Sequence, residues 1–386
     1  MEEKITTNAY KTSASIVNGE LDSIKNIKEN YALYKVLEDG MIGISVSKNL
    51  LDDQNGFKTA RENMSRPYPH NPAYNIQMNV KSENSYYKQG ALLKFCEDMS
   101  AYLKDSAFEN VNIIAESKFI RRTYTNQRLL HLNSERVLNK ILICSDTKNG
   151  DFLAPLYYRN FDAQKCAEDI AKLMNAREKS AAEVHAQHII IPSTNFFIYD
   201  YFEKVLNPDY YLNQSDEISF SKKMTLMTSL NPEDNQSLKY GLLPFFDSEG
   251  SCNQYFRKTL IDGGKFVSCY YDKDAALKYD KESTACAYAK SGDYSQNRLL
   301  GAYILPAGKI QNGSYVLVRN MVSSLDKDVL TLYAKECYKT DGNEIIGKTT
   351  DFEIRVSAEE FFNERFVMSA ENSPLSTAAD SLIFRW

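Results

Sequence analysis

The sequence predicts an α+β fold in two parts: an N-terminal α/β-sandwich-like domain with an antiparallel sheet and helices, and a C-terminal domain of mainly antiparallel β structure. Two observations indicate this class. Helical periodicity is concentrated in two segments of the first half. Tight-turn dipeptides separate strand-like runs at both ends of the chain. These dipeptides are Asn18-Gly19, Asp39-Gly40, Gly263-Gly264, Asn312-Gly313 and Asp341-Gly342.

The first half contains both helices and strands. From Ala91 to Ala107, apolar residues recur at spacings of three and four, which is the buried stripe of an amphipathic helix. A second helix is expected to begin after Asp162, its N-cap, and to continue to about Glu183. Between the helices, runs rich in β-branched and aromatic residues predict three strands. They are Val111 to Ala115, Phe119 to Tyr124 and Val137 to Cys144.

A polar stretch near residue 183 separates the two halves, so we expect domains at residues 1-183 and 184-386. The second half opens with a short buried strand at His188, followed by a helix near Asn195 to Leu206. A capping box, Ser357-x-x-Glu360, predicts another short helix. Strands are expected to occupy most of the remainder.

Composition narrows the class of protein. The chain has 386 residues, 43% hydrophobic and 25% charged, with a net charge of −5. This acidic balance argues against nucleic acid or an anionic membrane as a partner. The N-terminus is polar, no run of about 18 apolar residues occurs, and the seven cysteines form no Cys-x-x-Cys pair. We therefore expect a cytoplasmic protein with free thiols.

The segment from Phe245 to Gly308 has the most distinctive pattern. It begins with an acidic turn, Asp247-Ser248-Glu249-Gly250. Two apolar, β-branched and aromatic runs follow, separated by Asp262-Gly263-Gly264, whose glycines favour the positive φ angles of a tight hairpin. The second run, which reaches Tyr271, is expected to be a strand.

This order resembles the TldD/PmbA family of bacterial metallopeptidases. In that family an Asp-x-Glu-Gly turn, a strand, an Asn/Asp-Gly hairpin, a second strand and a Ser-Thr-Gly run follow one another. Here Ala285 stands in place of the last glycine. Hairpins resembling the family's first two lie near the N-terminus, so the resemblance covers almost the whole chain. The matching segments are Ile16 to Asp22, Leu37 to Ser45, Phe246 to Gly250, Thr259 to Gly263, Ser283-Thr284 and Ile304 to Gly308.

The resemblance also locates a lost zinc site. TldD-type members carry His-Glu-x-x-x-His on the helix after the Ile-Ile-Ile-Pro-like strand, with zinc on the histidines and the glutamate as general base. A gapless comparison puts Tyr199, Asp200 and Lys204 in these places. Because a lysine ammonium repels a dication, the resemblance implies no zinc and no catalytic residue of this type. The PmbA branch, also called TldE, lacks the same motif and partners the zinc-bearing subunit.

Other sites are weaker candidates. His185 and His188 could share a metal on a helix, whereas on a strand their odd spacing points them to opposite faces. Asp247 and Glu249 could form an acid pair, although an exposed turn is the favoured interpretation. The pair Arg121-Arg122 could contact nucleic acid, but a strand with solvated charges is favoured.

The expected function follows from the resemblance. The chain is interpreted as a non-catalytic PmbA/TldE-like subunit that is inactive alone and needs no cofactor. It is expected to hold extended peptides and to pair with a zinc-bearing TldD-like subunit or, as a homodimer, with a second copy of itself. A stand-alone peptide-binding or scaffold protein and an enzyme with a different site are the alternatives. The residues expected to form a peptide-chamber or interface turn are Asp247, Glu249, Gly250, Gly263 and Gly264.

Overall fold

The structure is a computed structural model of the chain. It describes residues 1–48, 52–68, 77–81, 89–106, 111–147, 150–158, 161–179, 186–192, 197–214, 218–231, 234, 242–289, 294–371, 374 and 380–386.

The described residues of the first half form one large sheet and three helices. The strands are β1 (Glu2–Val17), β2 (Glu20–Glu38), β3 (Met41–Lys48), β4 (Arg66–Pro67), β5 (Gln77–Lys81), β6 (Val111–Asn126), β7 (His131–Thr147) and β8 (Gly150–Tyr158). The helices are α1 (Asp53–Glu62), α2 (Gln89–Asp105) and α3 (Ala163–Glu178). The strand order is β4-β3-β2-β1-β6-β7-β5, and β8 also pairs with β7. All pairs except β5 with β7 are antiparallel.

Two of the predicted turn dipeptides form the first two hairpins. Asn18 and Gly19 have φ of +50° and +73°, and Asp39 and Gly40 have φ of +49° and +73°. Positive φ at both central residues matches the right-handed twist of the flanking strands. These hairpins are therefore confirmed, whereas the first two strands predicted between the helices are one continuous strand, β6.

The large sheet is covered on different faces at its two ends. In the first half of β1 the odd-numbered residues Ile5, Thr7 and Ala9 are buried. In the second half the even-numbered residues Ala14 and Ile16 are buried, and they pack with α2 and α3. Ile5 instead packs toward the second half of the chain. The end of the sheet that holds the start of β1 and the end of β6 therefore packs against the second half of the chain. We call this contact the junction between the halves.

The described second half is rich in short strands. They are β9 (His188–Pro192), β10 (Leu226–Ser229), β11 (Arg257–Asp262), β12 (Lys265–Phe266), β13 (Ala287–Tyr288), β14 (Gln296–Asn297), β15 (Ala302–Ile304), β16 (Tyr315–Asp326), β17 (Val329–Thr340), β18 (Ile345–Lys348), β19 (Phe352–Ser357), β20 (Phe366–Ala370) and β21 (Ser381–Arg385). The helices are α4 (Phe197–Val205), α5 (Pro208–Tyr211), α6 (Lys273–Lys278) and α7 (Ala358–Asn363).

These strands form three sheets around an aromatic core. The largest has the order β18-β17-β16-β9-β21-β20, with β19 also on β17, and a second has the order β12-β11-β10-β15. The third is the pair β13-β14. Helices α4 and α7 supply Phe202 and Phe362, whose ring centroids lie 5.2 Å apart, and Phe361 stacks on Phe384 at 4.2 Å. The predicted α+β class, with a β-rich second half, is confirmed.

The glycine hairpin forms as predicted, but its second strand is shorter. Gly263 and Gly264 have φ of +53° and +79° between β11 and β12. The N–H groups of Val267 and Ser268 both donate to the carbonyl of Leu260, at 2.8 and 3.2 Å. This double contact ends the ladder after Phe266, so the prediction of a strand as far as Tyr271 is wrong.

The last two turn dipeptides differ in what they form. Asp341-Gly342 lies in the loop that joins the antiparallel strands β17 and β18, and Gly342 has φ of +102°, so this hairpin is confirmed. Asn312-Gly313 lies between β15 and β16, which do not pair with each other, and its Gly313 N–H donates to the carbonyl of Asp341 at 2.8 Å. The β16–β17 hairpin turns through Lys327, a non-glycine residue with φ of +54°.

The predicted helices are present with small shifts. Helix α2 begins two residues before Ala91 and ends two before Ala107, and Asp162 caps α3 by accepting the N–H of Lys165 at 2.9 Å. Ser357 caps α7 by accepting the N–H of Glu360 at 3.0 Å. The expected boundary between 183 and 184 falls outside the described residues. Of the helices described, none has the length and apolar character needed to cross a membrane.

Candidate functional site at the junction of the two halves

The acidic turn is organised by the side chain of Asp247. Its Oδ1 atom accepts the N–H groups of Glu249 and Ser251, each at 2.9 Å. Its Oδ2 atom accepts the N–H of Ala287 at 3.1 Å, which ties the turn to β13. Both carboxylate oxygens of Asp247 are therefore engaged by the backbone, the use of aspartate that is typical of turns.

The turn is buried rather than exposed. Asp247 and Glu249 are each 3% exposed. Gly250 has φ of +73°, and a Cβ atom there would lie only 3.1 Å from Tyr124 and 3.2 Å from Leu130. The interpretation of an exposed turn is therefore wrong, because the N-terminal sheet covers it. Gly250 is required both by its conformation and by this close approach.

Glu249 joins the turn to the segment that follows the hairpin. Its Oε2 atom accepts the N–H of Lys273 at 3.2 Å, and its Oε1 atom accepts the hydroxyl of Ser295 at 2.9 Å. Beside it, Asp272 caps α6 by accepting the N–H of Ala275 at 2.8 Å. Burial raises the pKa of Asp272 to about 6. The carboxylates of this region thus satisfy backbone donors that burial would otherwise leave unpaired.

Residues of the N-terminal sheet complete the junction. The ammonium of Lys35, which is 4% exposed, donates to the carbonyl of Ser248 across 213 positions of sequence. Glu3, 5% exposed, accepts the hydroxyl of Tyr124 at 2.5 Å. The junction therefore buries one lysine together with several acids.

Burial and neighbouring charges shift the pKa values of the acids and of the lysine in the junction. Burial, and second the nearby charge of Glu249, raise the pKa of Asp247 to about 7, against the three backbone N–H contacts that lower it. Burial lowers the pKa of Lys35, while the charges of Glu3 and Glu249 act in the opposite direction. An unpaired buried charge is costly, so these groups stabilise one another through their shared position.

The geometry of the turn suits a structural junction better than catalysis. The carboxylate oxygens of Asp247 and Glu249 face donors within the protein. An ion pair between Arg66 and Asp274, at 2.6 Å, also crosses the junction. Within the described ranges, no group of three histidine, cysteine, aspartate or glutamate side chains is placed to hold a metal ion.

The two glycine-containing turns that the sequence grouped together have different neighbours. The Asp247 turn packs on the N-terminal sheet, as described above. A Cβ atom on Gly264 would lie 2.7 Å from the carbonyl oxygen of Phe220 and 2.8 Å from that of Ser221. At Gly263 the nearest atom would be 3.9 Å away. The hairpin turn thus packs within the second half.

Helix α4 carries the three positions expected for the lost zinc motif. Tyr199 is 2% exposed and belongs to the core of the second half. Asp200 lies on the exposed side of the helix. The ammonium of Lys204 forms an ion pair with Asp328 at 3.1 Å and donates to the carbonyl of Lys327 at 2.7 Å. The helix therefore presents a core tyrosine and a paired lysine where a metal site would need two imidazoles.

Of the histidine pair, His188 lies among the described residues. His188 begins β9, and burial lowers its pKa, with the charge of Arg385 acting in the same direction. His185 lies outside the described residues. The alternative of a metal shared by His185 and His188 stays a hypothesis.

Solved structures share this architecture over the full length of the chain. TldE from Thermococcus kodakarensis superposes with a TM-score of 0.71 at 14% identity, covering 100% of this chain and 95% of that one. The chain has the TldE fold. A candidate modulator of DNA gyrase from Thermotoga maritima matches at 0.70 and 15% identity, covering 100% and 95%. Another from Bacteroides thetaiotaomicron matches at 0.67 and 13%, covering 100% and 93%. No protein-family model and no curated protein matches the sequence.

The TldE fold confirms the resemblance inferred from the sequence. The segment from Phe245 to Gly308 departs from the family pattern at one residue. The pattern expects glycine after Ser283-Thr284, and Ala285 stands there. Ala285 has φ of +54°, a conformation that suits glycine, while being 2% exposed. Thr284 holds the segment in place because its hydroxyl accepts the N–H of Tyr271 at 2.7 Å. Ala285 therefore adopts a backbone conformation that suits glycine, at the place where the pattern expects a glycine.

Sequence reasoning missed the N-terminal side of the junction. Glu3, Lys35 and Tyr124 were assigned no role, yet they meet the acidic turn. One signal was available: Lys35 interrupts the apolar run from Tyr31 to Leu37, in a strand whose neighbouring positions are buried. A lysine in such a run indicates a specific buried acceptor.

Proposed function

We propose that the chain is a non-catalytic PmbA/TldE-like member of the TldD/PmbA family, which binds extended peptides and pairs with a zinc-bearing metallopeptidase subunit. The observation that carries this proposal is helix α4, where Tyr199 fills the core and Lys204 is paired with Asp328. A buried phenol and an ammonium do not make a zinc site of the family type. The TldE fold over 100% of the chain supports the family assignment.

A sheet edge supports the binding of extended peptides. Strand β3 pairs with Tyr31–Glu38 of β2. Among the described strands, none pairs with the preceding residues Glu20–Asn30 on that side. This edge carries Leu21, Ile24 and Ile27, which are 41%, 42% and 46% exposed. Unpaired backbone groups beside exposed apolar side chains suit the addition of a strand from another chain.

The proposal is tested by capturing the partner. The tagged chain, expressed in its own organism, should recover a homologue that carries His-Glu-x-x-x-His, and the complex should cleave unstructured peptides in a chelator-sensitive way. Recovery of the chain with peptides but without such a homologue would contradict the subunit role.

The second candidate is a stand-alone, non-proteolytic binding or scaffold protein. It is favoured by the two structural neighbours described as candidate modulators of DNA gyrase, since modulation of a protein target does not require a zinc site. The same capture experiment separates the two functions: a stoichiometric protein partner without the zinc motif supports the scaffold.

A further inference from the structure

A cavity of about 130 Å³ lies between the N-terminal sheet and the segment that carries the acidic turn. Its wall is mostly apolar, with Ile5 and Leu33 from the sheet and Leu230, Phe246 and Leu300 from the second half. Since one water needs roughly 10–15 Å³ by this measure, the space suits about ten non-hydrogen atoms. That is the size of a single amino-acid residue.

One side of the cavity carries a guanidinium group. Arg122 on β6 lines it beside Thr7 and Tyr31, which are its neighbours in one row across the sheet. Arg122 is half-buried, and the structure gives it no ion pair with any residue that it describes. The preceding residue Arg121 points to the opposite face, where it pairs with Glu135 at 2.7 Å. The two adjacent arginines therefore have different environments.

A second arginine, on β7, lies behind the apolar wall of the cavity. Arg136, 4% exposed, donates from Nε to the carbonyl of Leu243 and from Nη2 to that of Leu230, both at 2.8 Å. Its Nη1 atom is buried and meets no hydrogen-bond partner in the described part of the chain. Burial lowers the pKa of Arg136 to about 10, so the group stays cationic at neutral pH. In the β6–β7 pairing, Arg136 faces Ile120, two residues from Arg122, so both cations lie on one face.

The acid at the cavity does not cancel this charge. Asp247 lines the cavity, but its oxygens accept three backbone N–H groups. The cavity thus combines an apolar wall with a guanidinium that forms no ion pair among the described residues, a combination that favours a ligand with a carboxylate and an aliphatic group. Tyr288 lines it and is 40% exposed, so the cavity opens to solvent on that side.

We propose that this cavity binds the C-terminal residue of a peptide, with its free carboxylate on Arg122 and its apolar side chain against Leu33, Phe246 and Leu300. This inference rests on the proposed peptide-binding function and names the part of the peptide that is recognised. An aspartate or glutamate side chain would bring a carboxylate but little aliphatic surface for the wall. A residue inside a peptide would bring aliphatic surface but no charge for Arg122. A C-terminal leucine or valine brings both.

The test is calorimetric titration of the purified chain with two matched probes, N-acetyl-Ala-Ala-Leu as the free acid and as the C-terminal amide. The acid should bind at least about tenfold more tightly than the amide, because the amide removes the charge–charge contact. Arg122→Gln should weaken acid binding by about tenfold or more and abolish the difference between the probes. Arg121→Gln, one residue away on the other face, is the matched control and should leave both affinities unchanged. Circular dichroism confirms that each variant is folded.

Four results would overturn the inference: no binding of the acid probe, equal binding of acid and amide, wild-type affinity in the folded Arg122→Gln variant, or isovalerate binding as tightly as the peptide acid. The last result would assign the cavity to free aliphatic acids. Each of these outcomes leaves capture of the zinc-bearing partner unaffected, so failure of this site and failure of the proposed function are distinguishable.

Discussion

At the scale of single residues, the junction depends on how buried polar groups are satisfied. Asp247 and Glu249 form hydrogen bonds to backbone and side-chain donors, and Lys35 binds the carbonyl of Ser248. Such groups are costly to bury alone and acceptable when paired. The acids of the turn thus hold its backbone in place, and the turn meets the N-terminal sheet through the Ser248 carbonyl on Lys35 and through Gly250 beside Tyr124.

The pH dependence of stability tests this account of Asp247. Its pKa in the folded chain is raised to about 7 by burial, so the folded state holds the proton more tightly than the unfolded state. The contribution to stability is therefore present below about pH 4 and is lost as the pH rises towards 7. The unfolding free energy of wild type minus that of Asp247→Asn should fall over this range, measured by urea unfolding at several pH values.

Asp341→Asn is the contrasting control. Hydrogen bonds from the backbone of Glu344 and Asn343 lower the pKa of Asp341. Its contribution is present above about pH 4 and lost as the pH falls below that value, which is the opposite trend. A flat or rising difference for Asp247→Asn between pH 4 and 7 would show that the carboxylate is not held in its protonated form.

Replacement of Ala285 by glycine should not destabilise the protein. Its φ of +54° costs an L-residue roughly 1–2 kcal/mol, whereas removing a buried methyl group costs about 0.8 kcal/mol. Ala285→Gly should therefore be as stable as wild type or more stable by up to about 1 kcal/mol. Ala287→Gly also removes a buried methyl group but relieves no such strain, so it should be less stable by about 1 kcal/mol. Chemical denaturation that ranks Ala285→Gly below Ala287→Gly would contradict the assigned backbone conformation.

At the scale of elements, short sequence signals predicted what depends on local geometry. The Asn-Gly and Asp-Gly pairs located the first two hairpins, and Asp162 and Ser357 marked helix starts, because positive φ and N-capping are decided within a few residues. The same signals missed two local features of the backbone that no turn dipeptide marks. The strand after the glycine hairpin ends early at Phe266, and the turn through Lys327 carries no glycine.

The two glycines of the β11–β12 hairpin should differ in how much stability is lost when each is replaced by alanine. A Cβ atom on Gly264 would meet two backbone carbonyls at 2.7 and 2.8 Å, whereas on Gly263 its nearest neighbour would lie 3.9 Å away, an ordinary contact. Both residues have positive φ. Gly264→Ala should therefore cost about 2–4 kcal/mol, and Gly263→Ala about 1 kcal/mol. The two variants are matched controls for each other in urea unfolding, and equal losses would mean that contact with Phe220 and Ser221 does not matter.

For the molecule as a whole, the sequence predicts the order of the elements but not which distant residues contact one another. The succession of turns, strands and capped helices predicted the α+β class and the resemblance that the TldE fold confirms. The junction joins Lys35 to Ser248 across 213 positions, and no periodicity or spacing reports such a contact. The acidic turn was therefore identified as important, but its burial was not foreseen.

The exposed edge of β2 gives a whole-molecule prediction. Edges with apolar side chains tend to be covered in solution. In the absence of a peptide we expect a second chain to cover this edge, so the chain should be at least a dimer, with itself or with its partner. Multi-angle light scattering at micromolar concentration measures this. Ile24→Lys and Ile27→Lys together should shift the assembly towards monomer, while Val322→Lys, at an exposed position of β16, serves as the control. A monomer both alone and with a zinc-bearing homologue would contradict the prediction.

The chain has the TldE fold, and we propose that it holds no zinc site of its own. Elemental analysis of the protein purified alone, combined with a peptidase assay on an unstructured peptide, tests it most directly. We expect no stoichiometric zinc and no cleavage, because Tyr199 is in the core and Lys204 is paired with Asp328. About one tightly bound zinc per chain, together with cleavage that a chelator abolishes, would contradict the account.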